Sequence, residues 1–187
     1  MPRATTQSGA LQILQNCYIS TFWGVIQLRI LPEISDSKKA TYTPDTIMGR
    51  ASPLLTYSHS DARSISMELT FMVTEKADIH RNIRYLRMLE SLTYPGDPTD
   101  APYSPPQIAQ ITCGNLLGDI DDGLPGELGS PGGLCCVLES YSVKFPTDVA
   151  WDETTYLPYK FTVSTQWQVV YACKDLPCNS RIIALGR

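Results

Sequence analysis

The sequence predicts a mainly β, α+β fold: an antiparallel β-sandwich or barrel with one packed α-helix and long loops. Three observations carry that prediction. In 64–73, Ile65, Met67, Leu69, Phe71 and Val73 alternate with Ser64, Ser66, Glu68 and Thr70, the period of a half-buried strand. In 159–171, Tyr159, Phe161, Val163, Thr165, Trp167, Val169 and Tyr171 share one face, and Lys160, Thr162, Ser164, Gln166 and Gln168 share the other. Only 75–92 switches period: Ile79, Ile83, Leu86 and Leu89 recur at three and four, and Tyr85, Met88 and Leu92 widen the stripe. One helix among many strands has no βαβ rhythm, which favours antiparallel layers.

The remaining elements follow in order. Residues 1–20 are read as a polar N-terminal arm, 21–172 as one β domain and 173–187 as a C-terminal tail. The aromatic and β-branched run Phe22 to Leu31 predicts a strand that Pro32 ends. Ser35 to Thr43 is a polar connector, Thr46 to Arg50 a short strand, and Ala51-Ser52-Pro53 a breaker. Thr74 or Asp78 caps the helix, and Thr93-Tyr94-Pro95-Gly96 ends it. The prolines between 95 and 106 predict an extended loop, Gln107 to Cys113 a short strand, and Leu134 to Phe145 another. Between them, 114–133 is a Gly-rich loop carrying Asp119, Asp121, Asp122 and Glu127; a loop of that length is one that a partner would order.

With 187 residues the chain suits one domain plus arms. Charged residues make up 18%, below the usual quarter, which hints that other protein covers part of the surface. The formal net charge of −4 argues against a binder that works by neutralising phosphates, and suits a passage to which DNA does not adhere. No apolar stretch approaches the roughly 20 residues that span a bilayer, so no membrane insertion is expected. Residues 1–10 lack an apolar h-region, and the expected compartment of synthesis is a cytoplasm with reduced thiols.

The chemistry-bearing residues form no recognisable catalytic or cofactor motif, so the chain is read as a non-enzyme without cofactors. His59 and His80 stand outside metal spacings, and Ser58-His59-Ser60-Asp61 is too tight in sequence to converge as a triad, so His59 is read as a surface turn. The six cysteines contain no Cys-x-x-Cys pair, and vicinal Cys135 and Cys136 point to opposite faces of a strand. Asp119-x-Asp121-Asp122-Gly123 has the wrong spacing for an EF-hand, and Glu127 is too close. Arg81, Arg84 and Arg87 step by three along the helix beside His80, either a solvated face or a docking ridge for an acidic partner. Cys173 and Cys178 lie in a polar, Pro-containing segment where a local disulfide is in reach; Cys17 on the arm is the alternative partner, toward a neighbouring subunit, and reduced packed thiols are the third possibility.

Several segments in order resemble the tube-protein family of contractile tails, found in phage tails and contractile injection systems. Thr46 to Pro53 is similar to that family's strand ending in a Gly-Arg-x-Ser-Pro turn, and Arg63 to Phe71 to the strand that follows. Leu86 to Pro95 resembles its helix running into Leu-Thr-Tyr-Pro, and Ser104-Pro105-Pro106, then Gly114-Asn115-Leu116, its next strand. Val137 to Val143 and Tyr159 to Tyr171 resemble its closing pair. The resemblance runs from about 44 to 171 and implies hexameric rings whose strands join across subunits into one barrel around a channel. The Gly-rich acidic insertion, the two-cysteine tail and the lack of a following peptidoglycan-binding module depart from the family, and favour a baseplate or tube-initiating ring over the repeated tube subunit. Six copies would carry 6 × −4 = −24 formal charges around the DNA. The implied partners are further copies of the chain, tail tube, baseplate and sheath or wedge proteins, with passive contact with phage DNA during genome ejection. The implied location is the virion, after assembly in the host cytoplasm. A non-ring wedge or adaptor protein, or a β-sandwich carbohydrate-binding module, is the alternative.

Overall fold

The computed structural model describes residues 17–96, 104–113, 117 and 133–171. It is mainly β, with nine strands and one helix among the described residues: β1 (Cys17–Thr21), β2 (Gly24–Gln27), β3 (Glu33–Ser37), β4 (Ala40–Asp45), β5 (Leu54–Ser60), β6 (Ser64–Met72), α1 (Lys76–Ser91), β7 (Ala109–Cys113), β8 (Leu134–Lys144) and β9 (Lys160–Val169). Seven strands form one antiparallel sheet in the order β2-β1-β7-β8-β9-β6-β3, and β4 and β5 form a separate two-stranded ribbon. The strongest alternations become the sheet's middle: β6 pairs with β9 from Ser64↔Gln168 to Met72↔Lys160, and β8 joins β9 on its other side with a bulge between Leu138 and Ser140.

Chain length forces this sheet to curl. Laid flat, six gaps of about 4.8 Å would hold β2 and β3 about 29 Å apart. Yet β2 ends at Gln27 and β3 begins at Glu33, and six residue steps reach at most about 21 Å. The two outer strands therefore bend toward each other, although they do not pair into a closed barrel. Inside the curl lies one core, in which Ile19, Ile26, Ile65, Leu69, Ile111, Val163 and Trp167 are fully covered. Trp167 Nε1 donates to Thr165 Oγ1 (2.8 Å), and Thr165 Oγ1 donates to the Met67 carbonyl (3.0 Å), so the polar atoms buried with the indole are satisfied. Helix α1 adds Met88, Leu89 and, just past its end, Leu92 to the same core.

Asp78 fixes the helix start. Its Oδ2 accepts the Thr74 and Glu75 N–H groups (3.1 and 3.0 Å), two donors that the first turn leaves unpaired. Arg29, just beyond β2, donates to the same oxygen at 2.7 Å and ties the helix to the sheet edge. Arg81 Nη2 lies 2.6 Å from Asp78 Oδ1, but off hydrogen-bond alignment, so that contact is one of charge. Burial pushes the carboxyl up; the two N–H groups and the charges of Arg29 and Arg81 outweigh it and hold Asp78 below the usual carboxylate range.

Three stretches differ from the sequence expectation. The run Phe22 to Leu31 is not one strand: β1 and β2 form a hairpin whose two-residue turn is Phe22-Trp23, with Thr21↔Gly24 the last pair. Gly24 takes φ +140°, a conformation that L side chains rarely adopt, and Thr21 Oγ1 donates to its carbonyl at 2.8 Å. Aromatic β-propensity drew Phe22 and Trp23 into a strand, but they sit exposed at the tip. Residues 17–20, read as the end of the arm, belong to β1, where Cys17 and Ile19 are wholly buried. Finally, the polar connector 35–43 contains most of β3 and the start of β4, while Thr46 to Arg50 is the turn between β4 and β5, closed by Arg50 N–H on the Ile47 carbonyl (3.2 Å) with Gly49 at φ +90°.

Candidate assembly surfaces

The β4–β5 ribbon is built against the usual logic of a strand pair. Two strands alone are marginal in water and need a third strand or a packed face. Here the register sets Tyr42 opposite Tyr57 and Pro44 opposite Leu55, so these four share one face, and Thr43, Asp45, Leu54 and Thr56 share the other. The Tyr42 and Tyr57 rings meet edge to face at 5.8 Å. Yet the apolar face is open to solvent: Tyr42 is 53%, Leu55 63% and Tyr57 55% exposed. In the turn at the ribbon's tip, Ile47 and Met48 are exposed as well. At the base, Asp61 N–H donates to the Lys39 carbonyl (2.9 Å) and fixes where the ribbon leaves the sheet.

A second surface is the outward face of the large sheet. Register places Ser35, Ser66, Gln166 and Ser140 in one row across β3, β6, β9 and β8, and Glu33, Glu68, Ser164 and Ser142 in the next. The result is a broad plane of hydroxyls and amides with Glu33 and Glu68 directly opposed. The same side also carries Lys144, opposite Thr162, and Lys160, opposite Met72, so it bears charges of both signs rather than forming the acidic wall that the net charge suggests.

Open backbone edges complete the picture. β2 and β3 are the outer strands of the sheet. β7 pairs only with Leu134, Cys135 and Cys136 of β8, so Val137–Lys144 has a strand on the β9 side alone among the described residues. Unpaired edges of this kind template pairing with another chain.

The predicted site residues fall into separate places. Arg84 and Arg87 are exposed on α1, but Arg81 is drawn to Asp78 at the helix start, so the three do not form one free ridge. Asp119, Asp121, Asp122 and Glu127, with Cys173 and Cys178, lie outside the described residues. Cys17 is not on an accessible arm: it is buried in β1 with its Sγ 3.0 Å from that of Cys113. That places it against its own chain rather than a neighbour. His59, read as part of a turn, lies in β5, exposed, with Nε2 3.2 Å from Asp61. Trp167 is wholly buried and offers no face to a sugar.

The ribbon face was missed from sequence, although a signal exists. Tyr42 and Pro44 alternate with Thr41 and Thr43, and Leu55 and Tyr57 with Thr56 and Ser58, around a turn centred near Gly49. No known family model matches the chain, and no curated protein matches it.

Proposed function

We propose that the chain is a structural subunit of a contractile phage tail, a baseplate or tube-initiating ring protein that joins the tail tube to the baseplate and lines the DNA conduit. The observation that carries this reading is the β4–β5 ribbon, whose apolar Tyr42, Pro44, Leu55 and Tyr57 face has no water-excluding cover from its own sheet. A neighbouring copy supplies that cover in a ring. Head-to-tail contact between one copy's ribbon and the next copy's sheet is a heterologous interface, and such interfaces close into rings when the rotation allows. The open edge of β8 from Val137 supplies a place where strands can continue from copy to copy.

The polar plane of β3, β6, β9 and β8 suits the conduit wall. Hydroxyls and amides hydrogen-bond water, and the Glu33–Glu68 pair repels phosphate, so DNA slides past without lasting contacts. Lys144 and Lys160 at the other end of that side are matched in number by Glu33 and Glu68, so the face offers no continuous basic track to hold phosphates. Arg84 and Arg87 remain exposed for an acidic sheath or wedge partner outside the ring.

Electron microscopy of native particles tests the reading. Antibody raised against the chain is expected to label the baseplate end of the tail, and averaged views along the tail axis should resolve a ring of copies around a channel. Tails that bind no antibody, or copies that lie in the baseplate without contacting one another, overturn it.

A further inference from the structure

Two thiols 96 positions apart in sequence meet at the inner end of β1. Cys17 and Cys113 are register partners on antiparallel β1 and β7, with Sγ atoms 3.0 Å apart, about an ångström beyond the roughly 2.05 Å of a disulfide. The backbone bonds around them define the kind of pair they form. The Cys17 carbonyl accepts the Leu28 N–H (3.1 Å), so its polar groups face β2. Cys113 N–H donates to the Leu117 carbonyl (3.0 Å) and its carbonyl accepts from Leu117 N–H (3.4 Å), so its groups face away from β1. Cys17 and Cys113 are therefore a non-hydrogen-bonded pair, the closer of the two antiparallel kinds. Its Cα separation of about 4.5 Å lies within the roughly 4.4–6.8 Å that disulfides span.

We propose that Cys17 and Cys113 are an oxidative modification site that closes to an intrachain, cross-strand disulfide in oxidising surroundings and so clamps β1 to β7. The proposal does not depend on the ring reading. The oxidant is a low-molecular-weight disulfide such as oxidised glutathione. One cysteine thiolate attacks it, forming a mixed disulfide and releasing one glutathione thiolate; the second cysteine thiolate attacks the protein-bound sulfur, forming the Cys17–Cys113 bond and expelling the second. The cysteine pair loses two electrons, the glutathione disulfide gains two, and the two thiol protons end on two glutathione thiols.

Access governs when this happens. Both side chains are buried, and burial, with the contact to Cys17, pushes the Cys113 thiol up to about 12. At neutral pH the folded Cys113 thiol is protonated and both sulfurs are shielded from solvent, so closure proceeds while β1 is open, during folding or on transient fraying. Cys135 lies opposite Gln110 and Cys136 opposite Ala109, so neither competes across that ladder.

The test is a peptide map of the full chain, unfolded with its thiols reduced and refolded in mixed reduced and oxidised glutathione. Trypsin alone leaves Cys113 joined to Cys135 and Cys136, because no Lys or Arg lies between Arg87 and Lys144, so a protease cutting at Glu127 is added. The expected product is the peptide containing Cys17 linked to the one containing Cys113, in a monomeric chain whose thermal midpoint rises on oxidation. Cys113→Ala should abolish that rise and Cys135→Ala should keep it. Separately alkylated Cys17 and Cys113 after refolding, or Cys17 linked to a second chain, overturns the proposal. The map needs no substitution, so it decides the matter even if Cys113→Ala fails to fold.

Discussion

Replacing Tyr42 and Tyr57 together by serine should separate assembly from folding. Each ring is a little over half exposed in the single chain. A fully buried tyrosine covers about 150–250 Å², which leaves about 80–130 Å² per ring for a neighbour to cover. At about 25 cal/mol per Å², the two rings can contribute about 4–6 kcal/mol to an interface as an upper bound. Ordering the contact and desolvating two hydroxyls offset part of that, so the expected loss is about 2–4 kcal/mol per interface, or roughly 30- to 1,000-fold in affinity. The chain's own stability should hardly change: exposed substitutions stay within about 0.5 kcal/mol, and the cross-strand ring pair adds at most about 1 kcal/mol, confined to the ribbon. Sedimentation velocity and micrographs read the assembled fraction, and a thermal melt reads the fold. Undiminished assembly refutes the ribbon as an interface. A large fall in melting midpoint, with the core exposed, refutes the view that the ribbon is not part of the chain's own folding unit.

Four further outcomes follow from the same structure. Arg84→Gln with Arg87→Gln should weaken docking to an acidic partner more at low salt than at high salt in a pull-down titration and leave the melt unchanged, whereas Arg81→Gln should loosen the helix start by a few tenths of a kcal/mol in urea unfolding. Leu89→Ala, at a wholly buried helix–sheet contact, should cost about 2–5 kcal/mol in the same assay. Because Asp78 is held below its usual range by Thr74, Glu75, Arg29 and Arg81, the folded state binds its proton less readily than the unfolded state. Its stabilisation is thus complete above the ordinary carboxylate value of about 3.9 and lost as pH falls through the lower folded value, so Asp78→Asn should flatten that part of an acid-unfolding curve. Deleting 119–130 should preserve the melt and block assembly; normal particles from that deletion would remove the loop from the interface.

Elements that bury one face were legible. β6, β9 and α1 announce themselves because Ile65, Met67, Leu69 and Phe71, or Ile83, Met88 and Leu89, must all pack on one core. β3, β4 and β5 were not, because Ser35, Thr43 and Thr56 satisfy no core and their strand character rests on pairing with partners elsewhere in the chain. Phe22 and Trp23 misled for the opposite reason: 72% and 58% exposed at a turn, they carry the composition of a strand interior. The Cys17–Cys113 contact was beyond reach from spacing alone, since it follows from strand order, and strand order follows from how the sheet curls. Arg81 joined Arg84 and Arg87 in the sequence because three-residue steps were visible, while the competing carboxylate at Asp78, also three residues away, was read only as a cap.

The order of strands also sets the order of events on the ribosome. β6 has β9 as its main partner, yet their paired residues lie from 88 (Met72↔Lys160) to 104 (Ser64↔Gln168) positions apart. At about 5–20 residues per second, the first half of the sheet waits on the order of 5–20 s before its central neighbour is synthesised. During that interval β6 has only β3 beside it, along Ser64–Glu68, and its β9 side stays open, while β1 waits similarly for β7. The hairpins β1–β2 and β4–β5 can form at once, because their partners are adjacent. Closure of this sheet is therefore a late, non-local step that waits for the C-terminal strands, in the slow regime of high contact order. A nascent chain stalled before β9 should be the species that aggregates or recruits a chaperone.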